Sequence, residues 1–429
     1  MKLKKLIGAL AAVTLAAPGV ALATNGYFSH GYGIKAKGMA GVGIALPQDA
    51  MAAATNPAGM AFVGDRLDVG VDWFRPIRDS EIVSPLGAFP PVTGDFDGSD
   101  KKNFFVPEFG YNKMLGWNMA LGVSVYGNGG MNTTYANGAA PFGGIPFFTG
   151  FSGQRTGVNL EQLFIAPTFA YKINKNHAVG VSLNLAYQRF RADGLGGFAG
   201  ASWSPTNVSD KGVDSSTGWG VKIGYTGNLT DAVTVGATYQ SRTWMSKFSD
   251  YKGLFANQGE FDIPENYGIG IAVKATPKLT IAADIQRINY GDVESVGNKV
   301  DCFFAGACQL GAGNGPGFGW RNMTVFKLGM SYAWSDKLTL RAGVSTTNQP
   351  VPSSQTLFNI LAPGVVENHL TLGATWAVSP TSELSLAYMH AFNNKVKGSA
   401  SIPAVPVGGG NAHLKMHQDS LGIAYGMKF

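Results

Sequence analysis

Three cations in this chain are placed to meet an anion. Lys222, Lys327 and Arg341 each sit between apolar residues of an alternating run, so strand parity turns all three to the opposite, inward face. Inside a closed structure they could hold a carboxylate, because charge-assisted hydrogen bonds strengthen away from water. Each could instead balance a carboxylate on that same face, such as Asp72, Glu108 or Asp284. Other chemistry finds little footing. The sequence contains no Gly-x-Ser-x-Gly, His-Glu-x-x-His or phosphate-binding loop. His413 and His417 are four apart across a predicted loop and strand, not on a helical face, so no metal set and no cofactor is expected. Cys302 and Cys308, in "DCFFAGACQ", have no nearby His or Cys to complete a metal site and are predicted to pair across one loop tip.

The elements that carry these residues alternate with period two. In "RLDVGVDWF", Leu67, Val69, Val71 and Trp73 share one face while Asp68, Gly70 and Asp72 share the other. The pattern recurs at Met119/Leu121/Val123/Val125, Val179 to Tyr187, Trp219 to Tyr225, Phe326 to Trp334 and Leu421 to Phe429, giving about fourteen strands near the roughly ten residues a tilted membrane strand needs. Short turns alternate with long loops near 79–102, 128–158, 192–217, 243–264, 291–320, 348–368 and 393–417. Aromatic residues gather at both strand ends: Tyr171, Tyr225, Trp334, Trp376 and Phe429 by the turns, Trp73, Tyr187, Trp219, Tyr239 and Tyr388 by the loops. Two such girdles mark two membrane interfaces, and the fold class read from the sequence is a 14-stranded antiparallel transmembrane β-barrel.

Composition agrees. Charged residues make up 14% of the chain, against about a quarter in ordinary soluble domains. The opening Met1-Lys2-Leu3-Lys4-Lys5, the apolar run Leu6 to Val20 and the small-x-small triplet Ala21-Leu22-Ala23 predict a secretory signal peptide over residues 1–23. Its three lysines leave 30 of the 33 basic residues against 27 acidic ones, a net charge of +3 that asks for no nucleic acid. Residues 65–429 are then the barrel.

Residues 24–64 lack strand alternation. "DAMAAAT" predicts about two helical turns, with Pro47 in the first turn, halted at Asn56 because the residue before a proline avoids helical geometry. Small residues in Asn56-Pro57-Ala58-Gly59 permit close packing, so the segment reads as a compact plug inside the ring. The stretch "NGYFSHGYGIKAKGMAGVGIALPQDAMAAATNPAGMAFVGDRLDVGVDWF" resembles the start of the FadL family of outer-membrane transporters, and the likeness extends over the mature chain through "ALGVSVYGNGGMNTTY" and "FNILAPGVVENHLTLGATW".

The resemblance implies a monomeric barrel, plugged by an N-terminal hatch with Asn56, Pro57 and Ala58 at its gate. It would take up long-chain fatty acids or other hydrophobic small molecules from among outer-membrane lipids. Cargo would enter an apolar groove between external loops, move to a site beside the hatch, and leave sideways where the third strand kinks. Gly127, Asn128, Gly129 and Gly130 have the backbone freedom for that kink, or for an ordinary loop start. Phe142, Phe147, Phe148 and Phe151 in one loop, and Leu254 and Phe255 in another, are the expected capture surface, loop-on-loop packing being the alternative. The final strand ending in Phe429 resembles the signal read by barrel assembly machinery. The chain is expected not to be an enzyme. A general porin or an outer-membrane lipase with a dispersed Ser-His pair remains the different-class alternative.

Overall fold

The computed structural model describes residues 24–84, 93–136, 155–404 and 408–429. Among these, fourteen long strands form one antiparallel sheet. They are β1 (Arg66–Val83), β2 (Phe104–Leu115), β3 (Met119–Tyr135), β4 (Thr156–Lys172), β5 (His177–Asp193), β6 (Asp214–Asn228) and β7 (Val233–Gln240). The second half comprises β8 (Asn266–Lys274), β9 (Leu279–Ile288), β10 (Met323–Ala333), β11 (Leu338–Thr347), β12 (Asn368–Ala377), β13 (Ser382–Val396) and β14 (Asn411–Lys428). Each strand pairs with its sequence neighbours, and β1 closes the ring on β14 from Arg66 opposite Lys428 to Val83 opposite Asn411. Closure leaves no free first or last strand, which lets strands cross a bilayer core that offers no hydrogen bonds.

Alternation fixes which side meets lipid. On β12, Leu370, Leu372 and Trp376 are 41%, 54% and 54% exposed, whereas His369, Thr371 and Thr375 between them are buried. Trp73, Tyr171, Trp219, Tyr239, Trp334, Trp376, Tyr388 and Phe429 all lie on the exposed face. No described helix is long and apolar enough to cross a membrane, and the strands do so instead.

Two departures from simple alternation matter. β3 does not end at its glycines: the strand runs on to Tyr135, and every residue from Tyr126 to Tyr135 is buried. β7 is short, so the upper part of β6 pairs with a two-residue strand, Trp244–Met245, folded back from the following loop. That patch is held by Asp262, which accepts a hydrogen bond from the Met245 amide at 2.8 Å.

Burial raises the Asp262 carboxyl from its ordinary 3.8 to about 6. The folded state therefore holds the proton more tightly than the unfolded state. Its contribution to loop docking is fullest below the ordinary carboxylate range and falls away as pH rises through about 6. Hydrogen exchange at Met245, corrected for intrinsic rate, is expected to quicken between pH 4 and 7, and Asp262→Asn to flatten that dependence. An unchanged slope in the variant would assign the effect elsewhere.

Candidate functional site

Residues 24–64 run through the ring and touch inward-facing side chains from strands on all sides. The segment has little regular structure: one helical turn at Ile34–Lys37, another at Ala52–Thr55 and a 3-10 turn at Pro57–Ala61. The first helical turn of the alanine run starts at Ala52, so Pro47 lies ahead of it; Pro47 packs where a Gly59 side chain would sit, and Asp49 accepts from the Met51 amide. A segment so irregular must find partners for its buried backbone groups.

The wall supplies them. Glu108 accepts from the amides of Gly33 and Ile34 (3.2 and 2.9 Å), Asp284 from Gly43 and Ile44 (2.8 and 3.1 Å), and Asp68 from Ala50 (2.9 Å). Thr371 accepts from Ala40. The wall cations serve the carbonyls: Lys222 donates to Ala54, and Lys327 to His30 and Gly41 at 3.1 and 3.4 Å. Ion pairs complete the contact, Lys37 with Asp72 at 2.6 Å and Lys35 with Glu383, which also accepts from Arg66.

Within residues 24–64, Asn56 makes the most side-chain hydrogen bonds. Its Oδ1 accepts from Ala58, while its Nδ2 donates to Ile44 O (2.7 Å), Tyr225 O (2.9 Å) and Thr226 Oγ1 (3.1 Å). The turn it begins lies flat on β5 and β6. A Cβ at Gly224 would come within 1.9 Å of Asn56 Oδ1, and one at Gly180 within 2.4 Å of the Pro57 carbonyl carbon, so only glycine fits under the turn.

The glycines of β3 form a bulge. Gly127 faces Leu163 and Gly129 faces Gln162 on β4, leaving Asn128 as an inserted residue. The turned-in backbone meets the N-terminal segment: Phe28 bridges to Gly129, Gly130 N donates to Tyr27 O (2.9 Å), and Ser29 N donates to Asn128 O (2.9 Å). On its other side, β3 is without a ladder from Gly127 to Thr133 and meets residues 98–100 again at Thr134, whose amide donates to Gly98 O (2.8 Å). The β2–β3 ladder stops at Glu108 opposite Tyr126, although β2 continues to Phe104. The wall is unzipped locally, between Tyr126 and Thr134.

The three cations named from sequence separate. Lys222 and Lys327 line one small cavity of about 20 Å³ beside the N-terminal segment, with Phe28, Tyr32, Ile44 and Asp284. Neither has a carboxylate within ion-pair distance among the described residues. Arg341 is elsewhere, donating to Gln48 Oε1 (2.9 Å) and Thr375 Oγ1 (2.7 Å).

Above the ring, the long loops enclose an apolar pocket of about 50 Å³. Leu254 and Phe255 line it, with Phe255 packed 4.6 Å from the Phe190 ring. Phe198, Phe318, Phe358 and Leu361 also line it and were not singled out from sequence. They come from three long loops, Phe358 and Leu361 sharing one, and only their aromatic or apolar character there hinted at a role. Phe142, Phe147, Phe148 and Phe151 fall outside the described residues. Cys302 and Cys308 are bonded, with Cα atoms 5.4 Å apart. No group of three or more His, Cys, Asp or Glu side chains able to hold a metal occurs among the described residues.

A closed ring of fourteen strands with an apolar outer belt, threaded by its own N-terminal segment, defines an outer-membrane channel protein. The chain belongs to the family described as Outer membrane protein transport protein (OMPP1/FadL/TodX), which it matches over residues 10–429. It is thus an outer-membrane β-barrel transporter of hydrophobic compounds of the Gram-negative type, from a family of passive channels, not enzymes. In fold it is similar to the Pseudomonas putida toluene transporter TodX (TM-score 0.70, 18% identity, 93% of this chain and 99% of that one). It is similar as well to a Pseudomonas aeruginosa FadL homologue (0.71, 17%, 94% and 100%) and to the Ralstonia pickettii toluene transporter TbuX (0.62, 18%, 93% and 99%). No curated protein matches the sequence.

Proposed function

We propose that this protein is a ligand-gated, passive importer of long-chain fatty acids, working as a monomer after barrel assembly machinery inserts it. In this reading residues 1–23 are a removed leader, 24–64 a hatch, and 65–429 the channel. The observation that carries it is the pair Lys222 and Lys327 on one cavity beside the hatch, two buried ammonium groups facing a single carboxylate, Asp284. A second carboxylate would balance that excess, and a fatty acid brings one.

The path follows from apolar and polar surfaces in turn. The loop pocket takes the hydrocarbon tail, each buried methylene contributing about 0.8 kcal/mol. The cavity beside the hatch is too small for more than a head group, so the tail needs the hatch to shift at Asn56, Pro57 and Ala58. The unzipped wall between β2 and β3, at Gly127 to Gly130, gives a sideways exit into lipid without passage through water.

A second reading has its own support. The loop pocket carries no charged side chain, which suits monoaromatic hydrocarbons or alkanes equally well. Uptake of labelled oleate and of toluene by cells carrying or lacking the protein separates the two. With Lys222→Met/Lys327→Met, both cargoes share any loosening from the lost Ala54, His30 and Gly41 contacts, and oleate uptake is expected to fall at least tenfold further than toluene uptake, as one lost charge-assisted bond costs on the order of 1.5–3 kcal/mol. An equal loss of both, in protein still folded by heat-modifiable gel mobility, would count against a head-group role. Protein-dependent toluene uptake without oleate uptake would replace the fatty acid by a neutral cargo.

A further inference from the structure

We propose that a basic pocket on the outer wall, at the loop ends of β3, β4 and β5, binds the phosphorylated head group of an outer-leaflet lipid. The pocket measures about 180 Å³ and gathers Lys101, Arg155, Arg189 and Arg191 against only two carboxylates, Glu161 and Asp193. Like charges so close repel unless an anion joins them.

The existing pairs leave capacity for that anion. Arg189 reaches Glu161 only at 3.7 Å, and Glu161 also accepts from Asn159 at 2.7 Å. Arg191 is tied to Asp193 through Nε alone, at 2.9 Å. Arg155 is exposed and has no hydrogen-bond or ion-pair partner among the described residues. Guanidinium groups grip phosphate in a two-pronged geometry that a lysine cannot match.

Position selects a lipid over free phosphate. Outward residues of β5 run Leu183, Leu185, Tyr187, Arg189 and Arg191, and those of β4 run Ile165, Leu163, Glu161. The charges begin one step above the apolar belt on the long-loop side, where head groups of the outer leaflet lie. On the same strand below them, Leu183 and Leu185 border an exposed apolar groove with Trp219 and Trp244, a place for acyl chains. Phosphate above and hydrocarbon below is the chemistry of a phosphorylated glycolipid such as lipid A.

Native mass spectrometry of the full mature protein in detergent tests this, with bis-phosphorylated lipid A, its dephosphorylated form and inorganic phosphate as probes. The phosphorylated lipid is expected to bind at least tenfold more tightly than the dephosphorylated one. Arg155→Gln/Arg191→Gln should weaken it roughly tenfold or more, two cations being removed from an anionic surface, while Arg155→Lys/Arg191→Lys should recover most of the binding. Should the double Gln variant fail to fold, Arg155→Gln alone serves, since no described residue is held by that side chain. Equal binding of both lipids, wild-type affinity in the Gln variants, or displacement of the lipid by an equal concentration of inorganic phosphate would each overturn the proposal.

Discussion

Deleting Asn128 is expected to abolish uptake while the ring still folds. The pairing of β3 with β4 already treats this residue as an insertion, since Gly127 faces Leu163 and Gly129 faces Gln162. Its removal therefore joins two stretches that are in register with β4. What is lost is the bend. A straightened β3 would meet Val106, Phe105 and Phe104 of β2 above the present end of their ladder and zip the wall shut. It would also withdraw the Asn128 carbonyl that Ser29 and Tyr32 bind, at 2.9 and 3.1 Å. Heat-modifiable mobility should persist, and protein-dependent uptake of the cargo should fall to the background of cells without the protein. Uptake at wild-type rate in the deletion would remove the sideways route.

Asn56→Ala should loosen the hatch without disturbing the ring. The substitution removes one acceptor and a two-hydrogen donor that reaches Ile44, Tyr225 and Thr226, leaving buried groups without partners. Losses of this kind cost about 1–3 kcal/mol each, of which relaxation recovers part, so docking should weaken by roughly 2–3 kcal/mol. Amide exchange over residues 43–61 should rise on the order of 30- to 150-fold, with strand amides unchanged. Asn56→Asp keeps the acceptor for Ala58 but turns a buried carboxylate oxygen toward the Ile44 and Tyr225 carbonyls, so it should loosen the segment at least as much as Asn56→Ala. If exchange in the segment stayed at the wild-type level, Asn56 would not be what seats it.

The ring was plain in the sequence because lipid outside and polar groups inside force a period of two on every strand; Leu370 and Leu372 flanking Thr371 say so without any knowledge of partners. What faded was information that depends on two distant pieces meeting. "GNGGMNTTY" reads as a loop because both faces of β3 are covered there, one by the hatch and one by loops, which erases the alternation. Parity placed Lys222, Lys327 and Arg341 inside, yet no local pattern says which carbonyl a buried ammonium will find. All three proved to contact residues 24–64, Arg341 through Gln48, but only Lys222 and Lys327 are neighbours in one cavity. The loop pocket was hidden for the same reason: Phe190, Phe198 and Phe358 come together only through tertiary packing. Pro47 misled because its fixed backbone angle suits a helix start, while Asp49 ends up turning the chain before the helix begins.

The seam between β1 and β14 has a consequence for biogenesis. The first strand made must wait for the last, so the sheet stays an open, curling ribbon until Phe429 has been exported, and no partial chain can be sealed. Residues 24–64 emerge before any strand, and their main chain is gripped by side chains from both ends of that ribbon, Glu108 early and Lys327 and Thr371 late. Sealing and loading are thereby coupled: the ribbon must curl around its own leading end, or that end must thread in afterwards, for instance from the short-turn side where Phe429 N donates to Asp65 O.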